Sequence, residues 1–338
     1  MNVVHTKKEV RRIVSRWRKQ GQRVALVPTM GALHEGHLTL VRQAAGHADQ
    51  VVVSLFVNPT QFGPGEDFER YPRSRETDLA LCKKEGIALV FAPDFQEMYG
   101  TPDGSGELFL TFRIKKMNEQ LCGPFRPGHF EGVLQVVNKL FNIATPDVAV
   151  FGQKDIQQWY IIKRMVDEMD IPVEILMGPT QREPDGLARS SRNVYLSAEE
   201  REKAPMLHES LQRVAHHLKE LLRTSKLEGE NAPPDLPLEG ENAPPDLPLE
   251  GGATPLFDDP SPRPVYINGA IISEEMNRLD ENGFKVEYFS VVTTPDLQPT
   301  DHIMPGQTLV IAVAARLGKT RLIDNVLFSH KDLHHHDA

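Results

Sequence analysis

Two histidines three residues apart, His34 and His37, stand where chemistry on a phosphate is readily built. They follow the apolar run Val24-Ala25-Leu26-Val27, which reads as a buried strand, and a loop of Thr29, Met30, Gly31, Ala32 and Leu33. After them Leu38, Val41 and Ala45 recur at helical spacing. A strand, a glycine-containing loop and a helix start together offer free backbone N–H groups and a positive dipole end to an anion. Residues i and i+3 are helix neighbours, so both imidazoles can face one phosphoryl group and donate to it as its charge grows. A lone HxxH pair would read as capping or surface histidines. Its place after a strand and a PTMG loop favours phosphate contact.

Two further clusters carry suitable groups. Lys154-Asp155 follows the strand-like Val148–Phe151. The lysine is a point charge for an α-phosphate, and the carboxylate can accept from ribose hydroxyls. Alone, the pair is equally compatible with a solvated helix start capped by Asp155. Ser190-Ser191-Arg192 puts hydroxyls, backbone N–H groups and a guanidinium in one loop, a clamp suited to pyrophosphate. Taken alone, SSRN is more often a surface turn.

The wording PTMGALHEGH, together with FVNPTQFGPGED, RPGHFEGV, FGQKDIQQ and DGLARSSRN, resembles the pantothenate synthetases of the HIGH-motif nucleotidylyl transferase superfamily. The resemblance covers residues 1–225 and about 264–328. It implies a two-step ligase that makes pantoyl adenylate from pantoate and ATP, then passes the acyl group to β-alanine. It also implies Mg²⁺ and a homodimer through the large domain. The ATP contacts it implies are Met30, Gly31, Ala32, Leu33, His34, Glu35, Gly36 and His37, with His37 as proton donor. To the same set it adds Gly152, Gln153, Lys154, Asp155, Gln181, Arg189, Ser190, Ser191 and Arg192. Position 153 is often glutamate in the family, and position 189 usually apolar. Gln61 and Gln158 become the readers of the small hydroxy acid, with Pro28, Met30 and Phe62 beside its methyl groups and Asn58, Tyr71, Arg126 and His129 near by. Asp78 is a candidate magnesium ligand, against the plainer reading of a helix-surface aspartate.

The elements that must hold these residues alternate. A helix over 7–20, strands at 24–27, 51–57, 89–92, 148–151 and 173–177, and helices at 74–85, 131–144 and 156–168 predict a Rossmann-like doubly wound parallel sheet over residues 1–190. Leu108–Ile114 also reads as a strand, and the glycine- and proline-rich 63–73 as a mobile lid. A smaller α+β domain is expected over 191–328, with a helical stretch at 197–224, a helix at 270–281 and strands at 286–292, 308–315 and 321–324. Within it LEGENAPPDLP occurs twice in succession, at 227–237 and 238–248. Its prolines exclude a helix, so 226–263 reads as a flexible acidic insertion. Residues 329–338 read as a polar tail.

Composition limits the alternatives. The 47 acidic against 38 basic residues, net −9, argue against general nucleic-acid binding. No stretch approaches the ~20 apolar residues that span a bilayer. With only Cys82 and Cys122 there is no disulfide framework, and a reducing cytoplasm is expected. Two rivals remain: a nucleotidylyl transferase that stops at a dinucleotide product, and a non-catalytic scaffold that docks partners through the insertion.

Overall fold

A computed structural model describes residues 1–100, 108–230, 264–304 and 306–329, with 225–230 as backbone only. The elements run β1 (Asn2–Val4), α1 (Lys7–Lys19), β2 (Val24–Thr29), α2 (Glu35–Ala45), β3 (Gln50–Leu55), α3 (Arg75–Lys84), β4 (Leu89–Phe91) and α4 (Phe95–Tyr99). Next come α5 (His129–Ala144), β5 (Val148–Gly152), α6 (Ile156–Glu168) and β6 (Glu174–Gly178). The chain then forms α7 (Ala198–Lys203), α8 (Met206–Glu230), β7 (Val265–Tyr266), α9 (Ala270–Glu281), β8 (Phe284–Thr293), β9 (His302–Ile303), β10 (Thr308–Leu317) and β11 (Thr320–Ser329).

Strands β1 to β6 make one parallel sheet in the order β1-β4-β3-β2-β5-β6. The unbroken apolar runs are explained by burial on both faces. Val24, Leu26 and Val52 join the core beneath α1, α5 and α6, whereas Ala25, Val27, Val51 and Val53 join the core beneath α2 and α3. The predicted stripe Val10, Ile13, Val14 and Trp17 is the buried face of α1. That helix starts at a capping box in which Thr6 accepts from the Glu9 N–H and the Glu9 carboxylate from Thr6.

The C-terminal region is an antiparallel sheet, β11-β10-β8, with α8 and α9 over one face. Alternate residues of β10 divide between two cores. Leu309, Ile311 and Val313 pack under the region's own helices, and Val310 and Ala312 join the core of the large sheet. The smaller sheet is therefore attached to the larger one by apolar packing.

Several expectations need correction. The first element is the strand β1, which sits at the sheet edge beside β4. Leu108–Ile114 is no strand, because no neighbour supplies a ladder for it among the described residues. β11 extends to Ser329, well past 324. Helix α8 continues to Glu230, into the segment read as an insertion; 231–263 and 330–338 lie outside the described residues. No helix among the described residues is long and apolar enough to cross a membrane.

Candidate active site

In the sheet β2 and β5 are neighbours, while the chain winds away from them in opposite directions. Their carboxyl ends form the topological switch point, where open α/β sheets bind ligands. His34 and His37 leave β2 there and Lys154 leaves β5. The cleft above them encloses about 1310 Å³, open solvent at its mouth included.

The histidines form their own capping box. His34 Nδ1 accepts from the Gly36 N–H at 3.2 Å, and His37 Nδ1 accepts from the His34 N–H at 3.3 Å. Each neutral ring then carries its hydrogen on Nε2. The ring centroids lie 4.1 Å apart. Burial, reinforced by the Lys154 and Arg189 cations, lowers the His34 pKa to about 4. Burial and then the His34 neighbour lower that of His37 to about 3. The pair is thus neutral near pH 7. In the free protein His37 therefore presents a neutral Nε2–H to the cleft.

The loop before them also differs from expectation. Its N–H groups are not free for a ligand: Ala32 and Leu33 donate to the two Asp78 oxygens at 2.9 and 2.8 Å. Asp78 is only 2% exposed. Gly31 has φ +87°, and a Cβ there would lie 3.0 Å from the same carboxylate. Asp78 is therefore neither a surface residue nor an available metal ligand. It is the internal anion that shapes the loop.

Facing the histidines are Lys154, with Asp155 at 3.9 Å, and the 190–192 turn. Burial would raise the Asp155 pKa, but Lys154, Arg192, His129 and Arg126 together hold it below the usual carboxylate range. Ser190 Oγ accepts from the Arg192 N–H at 3.3 Å, and Ser191 pairs with the Tyr71 hydroxyl at 3.1 Å. Arg192 is held by Asp67 through two bonds of 2.8 Å. Glu66 grips Arg126 at 2.6 and 2.7 Å. The 63–73 loop read as a lid is thus tied across the cleft by its own carboxylates. Arg189 lines the cleft while paired with Glu183 at 3.1 Å.

At the deep end Gln61, 8% exposed, accepts from Asn58 at 3.0 Å and rests its amide on the Met30 sulfur at 3.4 Å. Asn58 is fixed in turn by the Tyr99 hydroxyl at 2.8 Å. His129 receives Arg126 on Nε2 at 2.9 Å and meets the Gln61 carbonyl with Nδ1 at 2.7 Å. Burial, with Arg126 beside it, lowers its pKa to about 3. Gln158 faces the same cleft, while its neighbour Gln157 is buried and fastens the 117–122 turn. Gly36, Gly152 and Gln181 also line the cleft. Gly31, Ala32 and Leu33 lie behind it, and Glu35 turns to Arg42. The Gln153 side chain points to Asn325 on β11, 3.4 Å away. Sequence reasoning assigned no role to Asn325, which no local motif marks.

The fold and the cleft define a doubly wound α/β enzyme with an anion site at its switch point and a small polar pocket beneath. The chain belongs to the pantoate-beta-alanine ligase family, which matches residues 2–327. It is 45% identical to the pantothenate synthetase of Thermoanaerobacter sp. (strain X514) over 322 residues, 95% of this chain and 96% of the relative. With that of Coprothermobacter proteolyticus it shares 42% identity over 327 residues, 97% and 99% of the two chains. A pantothenate synthetase structure from Thermus thermophilus is similar at TM-score 0.74 and 36% identity, covering 96% of this chain and 99% of that one. A Francisella tularensis pantoate-beta-alanine ligase, complexed with beta-gamma ATP and beta-alanine, matches at TM-score 0.68 and 30% identity, covering 97% of each. The protein is a ligase that forms the amide bond between pantoate and β-alanine to give pantothenate.

Proposed function

We propose that the ligation runs through pantoyl adenylate, with ATP in the cleft between the histidine pair and Lys154. The observation that carries this is two neutral Nε2–H donors facing a lysine and a serine–arginine turn across the switch point. The pantoate carboxylate, read by Gln61 and Gln158, attacks the α-phosphorus as the bond to the bridging oxygen breaks and pyrophosphate leaves. The β-alanine amine then attacks the acyl carbon, loses its proton and expels AMP. No side chain needs to form a covalent intermediate. Catalysis is alignment plus charge stabilisation by His34, His37, Lys154, Ser190, Ser191 and Arg192. Asp155 is assigned to the ribose hydroxyls and Gln181 to the nucleotide side of the cleft.

Magnesium belongs to this reading as an ion carried on the nucleotide phosphates, where it would offset their charge. Asp78 does not fit it, since both oxygens are committed to backbone N–H groups, and no step is routed through the ion. The division into units at 1–190 and 191–328 is part of the proposal, supported by the separate core under α8 and α9. The assembly is a homodimer in a reducing cytoplasm, in keeping with the family resemblance and with two buried free cysteines.

Pantoate-dependent exchange of pyrophosphate into ATP, without β-alanine, is the test. Exchange is expected in the parent and is abolished in a folded Lys154→Ala variant. A parent that binds ATP but shows no exchange would remove the adenylate.

A further inference from the structure

Asn325 lies on β11 in the smaller unit, opposite Ala312 in the ladder with β10, and is 1% exposed. Its amide is spent on one turn of the large unit. Nδ2 donates to the carbonyls of Gln153 and Lys154, both at 3.0 Å, and Oδ1 faces the Gln153 amide at 3.4 Å. Both amide hydrogens and the acceptor are therefore used on the three-residue turn between β5 and α6. The preceding residue braces the other cleft loop. Asp324, 4% exposed, takes Arg182 through bonds of 2.6 and 3.0 Å and accepts from the Asn325 N–H at 2.8 Å. Arg182 also reaches the Gly186 carbonyl at 3.1 Å, closing the turn that leads to Arg189 and Ser190.

We propose that Asn325, braced by Asp324, is a positioning residue for Lys154: it aligns the lysine for the phosphate from the smaller unit. A turn of three residues has few hydrogen bonds of its own. The carbonyls of Gln153 and Lys154 fix the backbone from which the lysine side chain springs. A shift of about 1 Å there is enough to cost a large factor in rate. The second unit then has a role in the chemistry, since the phosphate cation is set only when β11 is docked. This inference rests on Lys154 being the phosphate-binding cation.

The test is a double-mutant cycle on the affinity for an ATP analogue with a methylene bridge between the α- and β-phosphates, read by calorimetry on the full chain. Asn325→Ala is expected to weaken binding about tenfold in the parent, and by less than about twofold when Lys154→Ala is already present. An equal loss in both backgrounds would mean that Asn325 merely supports the fold, and overturns the proposal. Unchanged affinity in Lys154→Ala alone would overturn the assignment of Lys154 and this inference with it. Asn325→Ser keeps one O–H donor in a smaller side chain, and carries the same cycle should Asn325→Ala not fold.

Discussion

At the scale of single residues, the notable device is a carboxylate that substitutes for a ligand. The PTMG loop has the N–H groups of an anion nest, yet Asp78, 46 positions from Ala32, fills it from α3. No local pattern announces such a partner. The histidines could be read from the sequence because their spacing and setting are contiguous. The fate of the loop's N–H groups could not. Asp78→Asn keeps an acceptor but turns an N–H₂ group towards backbone donors at a buried position. The expected outcome is a loss of about 3 kcal/mol in denaturant unfolding and a fall in adenylate formation that excess Mg²⁺ does not restore. A variant of parental stability whose activity returns with added Mg²⁺ would reinstate Asp78 as a metal ligand.

Among elements, long periodic segments were legible and short or partnerless ones were not. Helix α6 and helix α9 fall at the expected residues because their apolar faces repeat over several turns. The three-residue β1 has too little pattern to be seen, and it exists only because β4 offers an edge. The opposite error occurs at Leu108–Ile114, where β-prone residues lie without a ladder among the described residues. There Phe109 is 78% and Leu110 83% exposed. Apolar, β-prone chain left open in this way is a pairing hazard unless something covers it. A second copy is the occupant consistent with the homodimer that the family resemblance implies. On the proposed homodimer, Leu110→Lys is expected to shift the mass measured by light scattering from two chains towards one, with the unfolding midpoint of the monomer preserved. An unchanged mass would remove this segment from the proposed interface.

For the whole molecule, three histidines of one cleft share one setting at the carboxyl end of the large sheet. The consequence is a common response to acid. His34, His37 and His129 have folded pKa values of about 4, 3 and 3, against 6.5 when unfolded, with burial the largest cause in each. Between those limits the unfolded chain binds more protons than the folded one, so stability falls as pH drops below 6.5. Two carboxylates, Asp155 at the cleft and the buried Asp324, act in the same direction at lower pH. Their folded values are depressed because cationic neighbours, and for Asp324 also the close His208 ring and the hydrogen bonds from Arg182, outweigh desolvation. Their contribution is present above the unfolded value of 3.8 and is lost as pH falls through the folded one. The histidine window therefore opens first and is separate. Between pH 6.5 and about 5.5 each of the three histidines should remove on the order of 1 kcal/mol. The ligand-free protein should lose that sum in its denaturant midpoint before any carboxylate titrates. In His129→Asn the amide can keep the bond to the Gln61 carbonyl, and about a third of the pH dependence should vanish. A midpoint that stays flat down to pH 5.5 would mean that the three rings are not held neutral, and that the cleft is wetter than its packing implies.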